Sequence, residues 1–172
     1  MAPTLFDHDA KPGDLIEIYR GTYKHWAIFI GGNEVVHLIP ETSTGDLGDF
    51  GELLSFLDSS TARVRRQRIW EVIKSSEFHI NNYLDDEYRP RESRTIVREA
   101  CRLVGLERPY NIATYNCEHF VTELRYGKPE SRQVQTAAVI GGVATAGVAI
   151  AVLGAALFST FHKHDKRRRN DE

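Results

Sequence analysis

Two cysteines, Cys101 and Cys117, are the only thiols in 172 residues. That is too few for a disulfide framework, and no N-terminal stretch reads as a signal peptide, so a reducing, cytosol-facing environment is expected. Neither sign of charge dominates. The 22 Lys and Arg against 24 Asp and Glu leave −2, which gives no basis for nucleic-acid binding. Paired metal-ligand spacings such as CxxC or HxxxH are missing as well, so no standard zinc framework is present.

What is there suffices for one compact domain and is short for two. The charge that exists is unevenly placed: the stretch from Lys163 to the end carries +2, and everything before it −4. From Val134 to Phe161 there is no charged residue, and the 22 residues Ala137–Phe158 are almost wholly apolar or small. About 20 such residues span a bilayer as a helix, so a C-terminal transmembrane anchor over 134–161 is expected, with 162–172 as a basic tail. The alternative is a buried core helix. Ala138, Gly142 and Ala146 fall four apart, as do Gly141, Thr145 and Ala149, a small-residue spacing that would permit weak self-association.

Upstream, residues 1–10 read as a flexible arm. Asp14–Arg20 alternates Leu15, Glu17 and Tyr19 against Ile16 and Ile18, the pattern of a strand. His25–Ile30 and Glu34–Ile39 are two β-rich runs around Gly31-Gly32-Asn33, a hairpin. Its register decides whether His25 and His37 meet. A plain two-residue turn at Gly32-Asn33 sets His37 opposite Ile28 and away from His25. A three-residue loop, or a bulge, sets His37 opposite Ala27, so that the histidines become diagonal neighbours on one face, roughly 7–8 Å apart at the backbone.

Residues 41–58 read as a loop with an apolar patch at Leu53, Leu54, Phe56 and Leu57. Arg63–Ile73 reads as a strand whose Arg63, Arg65, Arg66 and Arg68 either protect an edge or meet lipid headgroups. Ser93–Leu106 has helical spacing, with Cys101 beside its apolar stripe. Asn116–Tyr126 is predicted as a helix capped by Asn116 and ended by Gly127.

Cys117 opens that last helix, where unpaired N–H groups and the helix dipole favour a thiolate, so a lowered pKa is expected. Cys117, Phe120, Val121 and Leu124 also form one apolar face, and a plain core cysteine is the competing reading. Four assignments fit the set. One is a Cys117 nucleophile with His25 as base and His37 orienting it. A second is a zinc site of His25, His37, Cys117 and His119, which the two-residue separation of Cys117 and His119 disfavours. The others are an inactive fold, making the chain a membrane adaptor, and a peptidase-like thiol hydrolase. His119 projects from a different helix face and is not given the base role.

The strings Lys11-Pro12-Gly13-Asp14-Leu15-Ile16-Glu17-Ile18, His25-Trp26-Ala27-Ile28, Val35-Val36-His37-Leu38, Asn116-Cys117-Glu118-His119-Phe120-Val121 and Leu124-Arg125-Tyr126-Gly127 resemble the phospholipase A and acyltransferase family. Those HRAS-like suppressors form part of the lecithin:retinol acyltransferase-like branch of the NlpC/P60 thiol hydrolases. Asn81-Asn82, Asp85-Asp86-Glu87-Tyr88 and the apolar C-terminal stretch are similar too. The resemblance implies a permuted papain-like α+β domain over 11–130, an antiparallel sheet packed on helices. It further implies Cys117 as the nucleophile that forms an acyl-thioester, His25 as base and His37 as third member, with Tyr23 near the oxyanion site. Substrates would be glycerophospholipids such as phosphatidylcholine, phosphatidylethanolamine and lysophospholipids, cleaved as by phospholipase A1/A2 or used in N- or O-acyl transfer. No metal or other cofactor is implied. A C-terminal anchor would hold the domain on the cytosolic face of a membrane.

Overall fold

Short runs of β-branched and aromatic residues, separated by glycine turns, leave little choice but a meander of antiparallel strands. A computed structural model describes residues 8–41, 57 and 59–141. The strands are β1 (Leu15–Tyr19), β2 (Lys24–Gly31), β3 (Glu34–Pro40), β4 (Thr61–Arg68), β5 (Phe78–Ile80) and β6 (Glu107–Pro109). They form one sheet in the order β5-β1-β2-β3-β4-β6, every pair antiparallel. The helices are α1 (Ile69–Ile73), α2 (Ser93–Leu103), α3 (Cys117–Tyr126) and α4 (Arg132–Gly141). This is the expected α+β arrangement of an antiparallel sheet with helices.

The central strands are covered on both faces. Ile16, Ile18, Ala27, Phe29 and Val35 share one face and pack with Ile69, Val72 and Ile73 of α1. Leu15, Ile28, Val36, Leu38 and Val64 fill the opposite face, all buried. Hence even Glu17, on this second face, is buried; it holds Lys24 in an ion pair at 2.6 Å and accepts from Asn81.

The hairpin reaches the required register by a route that combines both alternatives. Gly32 and Asn33 take left-handed φ values of 60° and 59°, a two-residue turn closed by Gly31 opposite Glu34. A bulge between Phe29 and Gly31 then absorbs Ile30 as an extra residue, so Ala27 faces His37.

The run Arg63–Ile73 is not one strand. It turns helical at Ile69, because Ile69, Val72 and Ile73 at helical spacing bury into the core, and Glu71 reaches back to the Arg68 N–H at 3.3 Å. β4 is an edge only beyond Val64, whose N–H still donates to Leu106 O and whose carbonyl accepts from Gly105 N–H. Arg66 there is tied to Glu34, and Arg63 to Glu41.

Among the described residues, those up to Asn111 together with Tyr115–Ser131 form one compact unit; Ile112–Thr114 with α4 belong to a second. The expected anchor begins within α4, but 142–161, the basic tail 162–172 and the apolar patch of the 41–58 loop (except Leu57) lie outside the described residues. Among the described residues no helix is long and apolar enough to cross a membrane.

Candidate active site

Helix α3 starts where its sequence says it should. Asn116 has extended backbone, and its side-chain oxygen accepts from the N–H of Glu118 at 2.9 Å and His119 at 3.2 Å. His119 reciprocates, its Nδ1 accepting from Asn116 N–H at 3.1 Å, and its ring stacks on Tyr115. His119 is thereby a capping residue. Gly127, at φ 76°, ends the helix with its N–H on Glu123 O at 2.8 Å.

The cap fixes Cys117 at a split in the sheet. The β2–β3 ladder stops at Ala27 opposite His37, whereas β3–β4 continues to Pro40 opposite Ala62. Past that last rung the Trp26 N–H donates to the Cys117 sulfur, and Sγ lies 3.9 Å from Lys24 O. The thiol therefore sits against the backbone on either side of His25. Its exposure is 3%.

His25 and His37 share a face of the sheet, as the Ala27–His37 register requires. Their rings meet edge to face, His25 Nε2 lying 2.8 Å from His37 Nδ1. Both rings are buried. The geometry thus brings together the two histidines and sets the thiol against the backbone of the residues flanking the first of them.

Sequence reasoning missed three neighbours. Gln67 on β4 places Oε1 2.8 Å from His37 Nε2. Arg20, at the end of β1, is buried and donates to Val72 O at 2.5 Å, Ile73 O at 3.3 Å and Ser76 Oγ at 2.7 Å, capping α1. Glu118, buried next to Cys117, accepts from Tyr83 and Ser131 hydroxyls, each at 2.7 Å. Gln67 and Arg20 become visible only once the strand registers are known; Glu118 stood inside the quoted string but carried no signal of burial.

The electrostatics correct one expectation. Burial pushes the Cys117 thiol up to about 12, outweighing the N–H groups of Trp26, Glu118 and Cys117 that favour the thiolate, while the Glu118 carboxylate adds to the rise. The helix start is present, but desolvation is the larger effect. Burial also holds His37 down to about 4, with the Gln67 hydrogen bond opposing and Arg20 and Arg65 contributing. His25 lies well below its ordinary value through burial first, then repulsion by His37 and Arg20. At neutral pH, thiol and both imidazoles are uncharged.

A protein-family model described as lecithin retinol acyltransferase matches residues 8–130, spanning every strand and the Cys117 helix. The chain is 44% identical over 146 residues to human phospholipase A and acyltransferase 4, covering 85% of this chain and 88% of that protein. The chain belongs to the phospholipase A and acyltransferase family. Human phospholipase A and acyltransferase 2 is 42% identical over 158 residues, covering 91% and 93%. Human phospholipase A and acyltransferase 3 is 40% identical over 151 residues, covering 88% and 92%. The expected family is thus shown, and the Cys117, His25 and His37 strings all lie within the matched span.

Proposed function

We propose that this chain is a membrane-anchored thiol phospholipase A1/A2 and phospholipid N- or O-acyltransferase, with Cys117 as nucleophile, His25 as base and His37 orienting His25. One observation carries the reading: two buried imidazoles pair at 2.8 Å on the strands whose split receives the thiol. The matching family members, each named a phospholipase A and acyltransferase, support the substrate class.

The chemistry runs from neutral partners. As sulfur attacks an sn-1 or sn-2 ester carbonyl of a glycerophospholipid, its proton passes to His25. The Cys117 N–H at the helix start supplies one donor to the developing oxyanion, and Tyr23, whose hydroxyl is buried nearby, is assigned to the same region. The carbon–oxygen bond to glycerol breaks, the leaving oxygen takes the proton from His25, and a lysophospholipid departs. The Cys117 thioester then gives its acyl group to water, to the amine of phosphatidylethanolamine or to a lysophospholipid hydroxyl. His25 accepts that nucleophile's proton and returns it to sulfur. In this reading 11–130 is the catalytic part, and the uncharged stretch 134–161 is the anchor that holds it at its substrate, with the domain facing the cytosol.

Intact-mass measurement after incubation with phosphatidylcholine tests the mechanism. An acyl adduct on Cys117 is expected, lost with Cys117→Ala and kept with Cys101→Ala. The thiol's near-complete burial is the observation that would favour a non-catalytic membrane adaptor instead. Absence of any adduct or lysophospholipid product from the full chain would decide for that reading.

A further inference from the structure

The hydrogen-bonded line from His25 does not end at His37. His25 on β2, His37 on β3 and Gln67 on β4 lie on one face and step diagonally across three strands: Ala27 faces His37, and Val35 faces Gln67. Their contacts are 2.8 Å between His25 Nε2 and His37 Nδ1, and 2.8 Å between His37 Nε2 and Gln67 Oε1. Each link has one proton, so the direction of the whole line is set at its outer end. With Gln67 presenting its carbonyl oxygen, His37 Nε2–H must donate outward. His37 Nδ1 is then an acceptor, and His25 must donate Nε2–H to it. His25 Nδ1, which is buried, is left as that ring's acceptor nitrogen. Were the amide turned so that its NH2 faced His37, every donor in the line would reverse, and His25 Nδ1 would carry a proton.

We propose that Gln67 is a positioning residue whose carbonyl oxygen fixes the tautomers of His37 and His25, so that His25 presents an unprotonated Nδ1 for the Cys117 proton. The inference rests on the reading of His25 as base. An amide end has a further consequence that a carboxylate end would not. It orients the line without adding negative charge, so a positive charge formed on the imidazoles meets only the dipole of that hydrogen bond and no countercharge at this end. The charged groups that face the pair do not offset it: Arg20 at the end of β1 and Arg65 on β4, opposite His37, both oppose protonation. Glu118, on the Cys117 side in α3, acts on the thiol. Arg65 is exposed, and Arg20 is committed to the end of α1.

Two substitutions in the full-length chain test this, read without reference to lipid turnover. Nitrogen-15 NMR of the histidine rings should show both His25 and His37 as Nε2–H tautomers in the unaltered protein. Gln67→Leu removes the acceptor and should give mixed tautomers on both rings. Gln67→Glu keeps an acceptor, adds a charge, and should keep both Nε2–H tautomers while moving the histidine titration up by about one pH unit or more. The proposal is overturned if Gln67→Leu leaves both tautomers unchanged, or if Gln67→Glu leaves the titration where it was. Gln67→Glu, nearly isosteric at a half-buried site, decides alone if the leucine variant does not fold. Phospholipid hydrolysis, measured in parallel, reports separately on the proposed reaction: normal tautomer behaviour without hydrolysis would refute the catalytic reading and leave the orienting role intact.

Discussion

Acidification should destabilise this domain from pH 6.5 downward, and His37 sets the scale. In the unfolded chain His37 titrates near its ordinary value of 6.5; in the folded protein burial holds it to about 4. Between these values the unfolded state binds a proton that the folded state refuses, so stability falls as pH falls. The sign follows from that inequality: this contribution is fully present above pH 6.5 and lost progressively down to about pH 4. A gap of 2.5 pH units is worth about 3 kcal/mol at about 1.4 kcal/mol per unit, a large share of the ~5–15 kcal/mol that stabilises an ordinary domain. His25, depressed in the same direction, adds to the slope. Urea unfolding of the full chain, followed by Trp26 and Trp70 fluorescence from pH 7.5 to 4.5, measures it. His37→Gln should flatten the curve by close to one proton's worth. A stability independent of pH over this interval, or a His37→Gln curve as steep as the original, would refute the buried neutral pair.

Other tests address different parts of the structure. Iodoacetamide should modify Cys117 far more slowly at pH 7 than at pH 10, because the buried thiol lies at about 12; peptide mapping that found rapid labelling at pH 7 would restore the activated thiolate that the helix start suggested. Asn116→Ala removes the acceptor for two helix-start N–H groups at a buried position and should cost about 1–2 kcal/mol in urea unfolding. Arg125→Met should cost about 2 kcal/mol. It strips Gly13 O of its donor and Asp85 of a two-pronged partner, with the Asp85 share discounted because that carboxylate is partly exposed. A loss below about 0.5 kcal/mol would show that this link between α3 and the chain entering β1 is decorative.

Local signals carried most of the legible architecture. The alternation in β1, the glycine turn of the hairpin, and the Asn116 and Gly127 ends of α3 are written in consecutive residues, and each stands where expected. β5 and β6 are three residues each, too short for any periodicity to show. α1 hid inside an apparent strand because Ile69, Trp70, Val72 and Ile73 suit a strand as well as a helix, and burial of three of them against the sheet decides. The bulge at Ile30 has no signature of its own, although the need for one could be deduced from the two histidines. Gln67 was out of reach for a different reason. Its neighbour His37 is 30 residues away, and the β3–β4 register depends on a long intervening segment that sequence patterns do not measure.

The high thiol pKa bears directly on how the proposed reaction can proceed. At pH 7, a group at about 12 has a thiolate fraction near 10⁻⁵, equivalent to about 7 kcal/mol for ionisation. Turnover at a typical ~10 s⁻¹ corresponds to a barrier of about 16 kcal/mol, which leaves about 9 for carbon–sulfur bond formation. That is feasible, but it favours proton transfer to His25 concerted with attack over a standing ion pair. A standing pair would face Arg20 and Arg65 on the imidazole side and Glu118 on the sulfur side, each of which opposes charge separation there. Concerted transfer makes the rate depend on His25 being neutral and correctly protonated beforehand, the condition that His37 and Gln67 are placed to meet. Replacing water by deuterium oxide should therefore slow acyl-thioester formation by about two-fold or more in single-turnover mass measurements, since the proton is in flight as the bond forms. An unchanged single-turnover rate would mean that the thiolate forms beforehand, and that substrate binding itself relieves the burial which keeps Cys117 protonated.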